Sequence, residues 1–319
     1  MELSERLNYS NIRFNSKEFT LNCVVGRGGY GLVVCVKQAV TNRYFALKIE
    51  HSTSKAGSKE YCAYIKLADV EGVPQCFGYW TENDFSVIQL ELVGMNLLTY
   101  MHTKTGKLPI KDVFKLAPQM IDLLKNIHKR GIVHCDIKPS NFAFGMREKS
   151  GRLQILDFGL SESYFVHEGH SCCRYKRTPR GTTLYMSANQ HVYFHNSPRD
   201  DLESLVFCFM DMCGVSLPWI NFVKPETERD HSRWYNAKVG GESRKPLTQI
   251  PQFQYMLNMC RDLKCNEKPN YEGMKDLFKL NYFNHRVGDV KPRYSNVLPR
   301  IEPKEHELEI LKQFDINNE

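Results

Sequence analysis

Between residues 19 and 50 the apolar positions fall in short β-branched and aromatic runs: Phe19-Thr20-Leu21-Asn22-Cys23-Val24-Val25, Leu32-Val33-Val34-Cys35-Val36, and Tyr44-Phe45-Ala46-Leu47-Lys48-Ile49. Such runs predict strands, and the glycine turn between the first two predicts an antiparallel start. A helix is predicted from Lys59 to Leu67 and another strand from Phe85 to Leu92, ending near Gly94, where a short linker can join two lobes. After Gly94 the period changes. Val113, Leu116, Met120, Leu123, Leu124 and Ile127 recur at three- and four-residue intervals within Ile110–Lys129, the stripe of an amphipathic helix. Leu202–Cys213 is apolar on nearly every side, which predicts a helix buried in the centre of the second lobe. Pro251–Asp262 and Tyr271–Asn281 predict two more helices. The pattern divides the chain into an N-terminal segment 1–18, a domain 19–283 with lobes 19–93 and 94–283, and a tail 284–319. The tail carries Pro292, Pro299 and Pro303 before a helical stretch Lys304–Phe314, and it either packs back on the domain or extends from it.

Composition adds limits. With 42% hydrophobic and 25% charged residues among 319, the chain is an ordinary globular one, long enough for a sizeable core. It has no membrane-length apolar run, and Met1-Glu2-Leu3-Ser4-Glu5-Arg6 lacks a secretory h-region. The expectation is an intracellular, cytoplasmic and also nuclear, monomeric protein that does not bind membranes. Eleven cysteines without a CxxC pair point to reduced thiols rather than a zinc framework or disulfide scaffold. A net charge of +7 is too small to define a nucleic-acid binder but biases encounters toward acidic partners. Arg174, Lys176, Arg177 and Arg180 crowd one segment, readable as a solvated loop or as a contact for acidic substrates or phosphate. His167, His170, Cys172 and Cys173 fit no standard zinc spacing and read as ordinary loop.

The chemistry lies in four places. Gly26, Gly28 and Gly31 stand between two strand-like runs, so backbone amides there can close over a polyphosphate without Cβ clashes. A dinucleotide-binding loop would lead into a helix; here a β-branched strand containing Val33 follows, and Lys48 comes seventeen residues after Gly31 in Ala46-Leu47-Lys48-Ile49. Glu60 is the only acidic residue between Glu50 and Asp69, and therefore the natural partner for Lys48. Asp136, Lys138 and Asn141 lie in His134-Cys135-Asp136-Ile137-Lys138-Pro139-Ser140-Asn141, and Asp157-Phe158-Gly159 follows sixteen residues after Asn141. This order and spacing resembles the protein kinases. The resemblance implies that Asp136 accepts the substrate proton, Lys138 neutralises the transferring phosphoryl group, Asn141 and Asp157 ligate Mg²⁺, and Lys48 with Glu60 holds the phosphates of ATP.

Arg199-Asp200-Asp201-Leu202-Glu203-Ser204-Leu205 and Ser216-Leu217-Pro218-Trp219 resemble segments of the casein kinase 1 family. Lys138-Pro139-Ser140-Asn141-Phe142-Ala143 is similar to its tau-tubulin kinase branch, and Lys268-Pro269-Asn270-Tyr271 to an element shared with the vaccinia-related kinases. Gly181-Thr182-Thr183-Leu184-Tyr185-Met186-Ser187-Ala188-Asn189 stands where most kinases carry an APE triplet and resembles that family's own version. The resemblance implies a two-lobed α+β fold and serine/threonine kinase activity on proteins. It also implies that Asp201 braces the catalytic loop, that Thr182 bonds near Asp136, and that Leu90 is the gatekeeper, with Ala46, Val33 and the backbones of Glu91 and Val93 around adenine. Two departures stand out. Cys135 replaces the arginine that usually precedes the catalytic aspartate, and Leu184 replaces an arginine that helps the family bind pre-phosphorylated substrates. The alternative is a pseudokinase scaffold, against which intact Lys48, Asp136, Asn141 and Asp157 argue.

Overall fold

The computed structural model describes residues 11–14, 17–27, 31–52, 56–164, 179–192, 194–240 and 250–279, with positions 301, 304, 307, 310 and 311. These form the two-lobed α+β fold expected. In the first lobe β1 (Asn11–Phe14), β2 (Lys17–Arg27), β3 (Gly31–Gln38), β4 (Tyr44–His51), β5 (Cys76–Glu82) and β6 (Phe85–Glu91) make one antiparallel sheet in the order β1-β2-β3-β4-β6-β5. Helix α1 (Ala56–Lys66) packs against β5 and β6. Strands β1 and β5 were not legible as such. The first has only four residues, and the second is an edge strand that is half-buried nearly throughout, so it lacks the alternation that marks a strand with one wet face.

Strand periodicity decides which side chains meet. Residues paired directly across an antiparallel ladder share a face, and residues two apart share it along the strand. Val33 pairs with Lys48 and Lys48 with Ile88, while Cys35 pairs with Ala46 and Ala46 with Leu90. Val33, Ala46, Lys48, Glu50 and Leu90 therefore lie on one face, turned toward α1 and the second lobe. The opposite face carries Phe45, Leu47, Ile49, Val34, Val36 and Val87, a second apolar cluster to which Leu311 belongs and against which Ile301 and Ile310 pack. Ile301, Ile310 and Leu311 of the tail thus pack back on the domain.

The second lobe contains α2 (Leu97–His102), α3 (Ile110–Lys129), α4 (Ala188–His191), α5 (Pro198–Met212), α6 (Glu228–Val239), α7 (Pro251–Arg261) and α8 (Tyr271–Lys279). Short strands β7 (Ile132–Val133), β8 (Phe142–Phe144), β9 (Leu153–Ile155) and β10 (Glu162–Ser163) carry the loops that face the first lobe. Helix α3 occupies the span its stripe predicts. Helix α5 begins four residues before Leu202, because Ser197 and Asp200 close a capping box and Pro198 suits the first turn. As expected it is central: Leu202, Leu205 and Val206 through Met210 are fully buried. Helices α2 and α4 are too short for a period to show, and α6 is polar on most of its surface.

One sequence expectation is corrected. Cys265 is disulfide-bonded, although eight other cysteines among the described residues are free. Absence of CxxC excludes only local dithiols, whereas a long-range bond depends on which cysteines the fold brings together.

Candidate active site

The first-lobe side of the cleft is a lysine among three carboxylates. Lys48 Nζ lies 2.6 Å from Glu60 Oε2, 2.9 Å from Asp157 Oδ1 and 3.2 Å from Glu50 Oε1. Helix α1 holds Glu60 with its side chain fully buried, and β4 brings Glu50 to the same face as Lys48 by two-residue periodicity. Burial pulls the Lys48 pKa down, but the carboxylates, Glu60 foremost, outweigh it and leave it well above the ordinary value. Burial also pushes Glu60 up, to about 7, against the opposing pull of Lys48, while for Asp157 Lys48 overcomes burial and the pKa is lowered.

A pH dependence follows from Glu60. On acidification through about 7 its carboxylate takes up a proton and the ion pair to Lys48 is lost. We expect kcat/KM for ATP to fall below that pH in the wild type, with the limb absent from Glu60→Gln. Stability runs the other way. A folded-state pKa raised above its ordinary value stabilises the fold fully below about 4.5, and this contribution is lost as pH rises through about 7. Thermal melts of wild type and Glu60→Gln at pH 5 and 8 check the sign.

On the second-lobe side, β7 leads into a loop that Asp201 holds from α5. Its Oδ2 accepts from the His134 amide at 2.7 Å and its Oδ1 from the Cys135 amide at 2.9 Å, while His128 Nε2 lies 2.8 Å from Oδ2. Cys135 has φ 69°, a left-handed conformation that side chains other than glycine adopt at a cost of about 1–3 kcal/mol. The loop is held in that state from both sides, since Gln190 Nε2 donates to the Cys135 carbonyl at 3.0 Å. Gly181, at φ 128°, completes the fit: a Cβ there would come within 2.8 Å of the same carbonyl oxygen.

Asp136 is therefore aimed by its neighbours. Its Oδ1 accepts from the Thr182 amide at 2.7 Å and from Thr182 Oγ1 at 2.8 Å, and Lys138 Nζ donates to Oδ2 at 2.6 Å. Lys138 also reaches Thr182 Oγ1 at 3.2 Å. Asn141 Nδ2 donates to the Asp136 backbone carbonyl at 2.9 Å, so its carboxamide oxygen is the atom left to act as a ligand. Asp157 also sits at positive φ, 66°, ahead of fully buried Phe158, whose ring packs edge-on against Tyr64 at 5.1 Å. The Asn141 oxygen and the Asp157 carboxylate are hard donors of the kind Mg²⁺ takes. The surroundings favour a cation as well: Lys48 answers three carboxylates, and Glu50 Oε2 and Glu60 Oε1 are buried without a hydrogen-bond partner.

Beyond Thr182 the chain is pinned by a buried lysine. Lys238 Nζ, on α6, donates to the carbonyls of Thr183 at 2.8 Å and Met186 at 2.6 Å and lies 3.0 Å from His191 Nε2. The rings of Phe207, Trp219 and Trp234 surround it at 5.2–5.4 Å. Burial drives its pKa well below the ordinary value, with Glu203 opposing. Three acceptors and three ring faces are nevertheless the partners of an ammonium. Burial, with Lys238 and His231, takes His191 down to about 2, so its neutral ring can accept at Nε2 and donate from Nδ1 to His231, 3.0 Å away. Trp219 Nε1 donates to the Leu184 carbonyl at 2.9 Å, and the Leu184 side chain packs against the core.

The structure brings Gly26, Gly31, Val33, Ala46, Lys48, Glu60, Leu90, Asp136, Lys138, Asn141 and Asp157 to the cleft between the lobes. Gly28 lies outside the described residues, as do Arg174, Lys176, Arg177, His167, His170, Cys172 and Cys173. At the junction the Glu91 amide donates to Gln75 O at 2.8 Å and its carboxylate pairs with Lys149 at 2.7 Å; Val93 follows, and Gly94 N donates to Phe144 O at 2.8 Å. Four contributors were missed in the sequence: Glu50, His128, Gln190 and Lys238. Glu50 alone left a signal, its position two residues after Lys48 in one strand. In a comparison with known families, residues 19–276 match the family described as protein kinase domain.

Proposed function

The chain belongs to the protein kinase family, and from that premise we propose that it is an active serine/threonine kinase that transfers the γ-phosphoryl group of ATP to proteins. One observation carries this: the Asp136 carboxylate is held by Thr182 and Lys138 at 2.6–2.8 Å while Lys48 stands paired with Glu60 at 2.6 Å. A scaffold that had abandoned transfer would have no need of an aimed Asp136 carboxylate.

In the reaction a substrate hydroxyl oxygen bonds to the γ-phosphorus as the bond to the β–γ bridging oxygen breaks and ADP leaves. The hydroxyl proton passes to Asp136, whose lone pairs are oriented by Thr182. Lys138, beside Asp136, places positive charge where the transferring group develops negative charge. Lys48, oriented by Glu60, binds the α- and β-phosphates. Asn141 and Asp157 would hold Mg²⁺, which supplies charge neutralisation for the phosphates when bound. Val33, Ala46 and Leu90 form apolar walls for the base.

Lysine two positions after Asp136 supports serine/threonine over tyrosine as acceptor. The casein kinase 1 grouping is supported by two roles its motifs acquire here: Asp201 bracing the loop and Trp219 anchoring Leu184. Cys135, buried and without a cationic side chain in place of the usual arginine, offers no positive charge to a phosphorylated activation segment. The test is γ-³²P-ATP transfer to casein and to a basic peptide by bacterially expressed, phosphatase-treated protein, beside thermal shift with Mg·ATP. Transfer without a lag is expected. A thermal shift without transfer would make the protein a nucleotide-binding scaffold.

Leu184 cannot bind an anion, being apolar and packed against the core. We therefore expect little gain from a phosphoserine three residues before the target, and any preference for acidic peptides to weaken as salt rises. Paired primed and unprimed peptides decide the point, and a gain of about tenfold or more, about 1.4 kcal/mol, would contradict it.

A further inference from the structure

We propose that Ile301, Lys304, Glu307 and Leu311 form a strap in cis that sets the position of the glycine-loop strand, with Glu307 as a positioning residue for nucleotide binding. These residues lie outside the stretch 19–276 that matches the kinase family. Three contacts tie them to β2 and the face behind it. The first is an ion pair: Arg27 Nε and Nη2 donate to Glu307 Oε1 and Oε2 at 2.5 and 3.0 Å, a fork that fixes direction as well as distance. Glu307 is only 5% exposed, and its Oε2 also accepts the Lys304 amide at 2.7 Å, so the buried carboxylate is met by donors on both oxygens. The second is a ladder bond. β1 pairs with residues 17–20 of β2, and beyond them Ile301 N donates to Val24 O at 3.0 Å in an antiparallel bridge. The third is apolar: Leu311, 5% exposed, joins Phe19, Leu21, Val24 and Val34 in the cluster on the far face of the sheet.

Position gives these contacts their consequence. Arg27 is the last residue of β2, and Gly26 and Arg27 pair with Val33 and Leu32 at the mouth of the glycine-rich turn. A register shift between Val24 and Gly26 interrupts the ladder just before that mouth. At a bulge a strand bends and twists more freely, so the end of β2 is the part of the sheet most in need of an outside anchor. The strap supplies one on each side of the bulge, at Val24 and at Arg27.

The kinetic arm of the test rests on the kinase reading; the binding and exchange arms do not. In the full chain, Glu307→Gln keeps shape but removes the charge, and Leu311→Ala weakens the apolar anchor. Arg27→Glu with Glu307→Arg restores the pair in reverse. If Glu307→Gln leaves about a tenth of molecules with β2 in place, apparent affinity for ATP falls about tenfold. We expect that loss in KM for ATP and in calorimetric Mg·ATP affinity, with peptide KM unchanged. Amide exchange of residues 19–27 should quicken, and the charge exchange should recover part of both. Glu272→Gln, which breaks a surface pair with Lys275, serves as the control without effect. Nucleotide affinity and β2 exchange within about twofold of wild type in both Glu307→Gln and Leu311→Ala would overturn the strap. Weakened nucleotide binding in Glu307→Gln, beside a wild type that binds nucleotide but transfers no phosphate, would keep the strap and remove the activity.

Discussion

Asp136→Asn lowers phosphoryl transfer by about 10²- to 10⁴-fold, the usual worth of a positioned base, and leaves Mg·ATP affinity unchanged. The loose transition state of phosphoryl transfer places the effect toward the lower end of that range. The substitution keeps an oxygen for Thr182 but turns an amide toward Lys138 Nζ, which now donates at 2.6 Å to a carboxylate oxygen. Proton acceptance and the placing of Lys138 are therefore lost together. Asp157→Asn differs in kind, because it removes charge from the metal side of the cleft and from Lys48 at 2.9 Å. It lowers Mg·ATP affinity as well as turnover, as does Lys48→Met. Single-turnover transfer and calorimetric nucleotide binding separate the two patterns. Near wild-type turnover in Asp157→Asn would remove the proposed metal role.

Lys238→Met destabilises the fold by about 3–5 kcal/mol, because it leaves three buried acceptors without a donor at about 1–3 kcal/mol each. The carbonyls of Thr183 and Met186 and the ring nitrogen of His191 lose their donor, and no water reaches a side chain that is fully buried. At roughly 2–4 °C per kcal/mol for a large domain, the melting temperature drops by roughly 10 °C. The freed carbonyls directly follow Thr182, so in whatever folds, peptide KM rises and ATP affinity does not. Denaturant and thermal unfolding measure the first effect and steady-state kinetics the second. An unchanged melting temperature would show that the ammonium is no anchor.

The parts of the site that were legible are those whose chemistry is local. Asp136, Lys138 and Asn141 lie within one loop, and Asp157 follows at a spacing set by the single β8–β9 hairpin between them. Glu60 could be named for Lys48 as the only acidic residue between Glu50 and Asp69, opening the predicted helix, and the two lie 2.6 Å apart. Glu50 escaped notice because a carboxylate two residues from a lysine in sequence is unremarkable until the strand's two-residue period puts both on the cleft face. Lys238 gave no sign at all: α6 reads as a solvated helix, and the burial of one of its lysines depends on Trp219 and Trp234 closing around it. Gln190 and His128 are similar cases, polar residues whose partners lie 55 and 73 positions away.

From its residues alone the chain specifies the two lobes, the apolar stripe of α3, the buried α5 and the spacing of Lys48, Asp136, Lys138, Asn141 and Asp157. All of these follow from periodicities and motifs that span a few turns or one hairpin, where covalent geometry limits the choices. Folding in three dimensions decides what encloses them: the charge excess around Lys48, the ammonium under the segment after Thr182, the disulfide at Cys265, and the return of the tail to β2. Those depend on groups far apart in sequence being desolvated together. Arg27 and Glu307 are separated by 280 positions, and nothing local distinguishes either from a surface charge. Their pairing is set by the bridge of Ile301 to β2 and the apolar face behind it, which exist only once the sheet has formed.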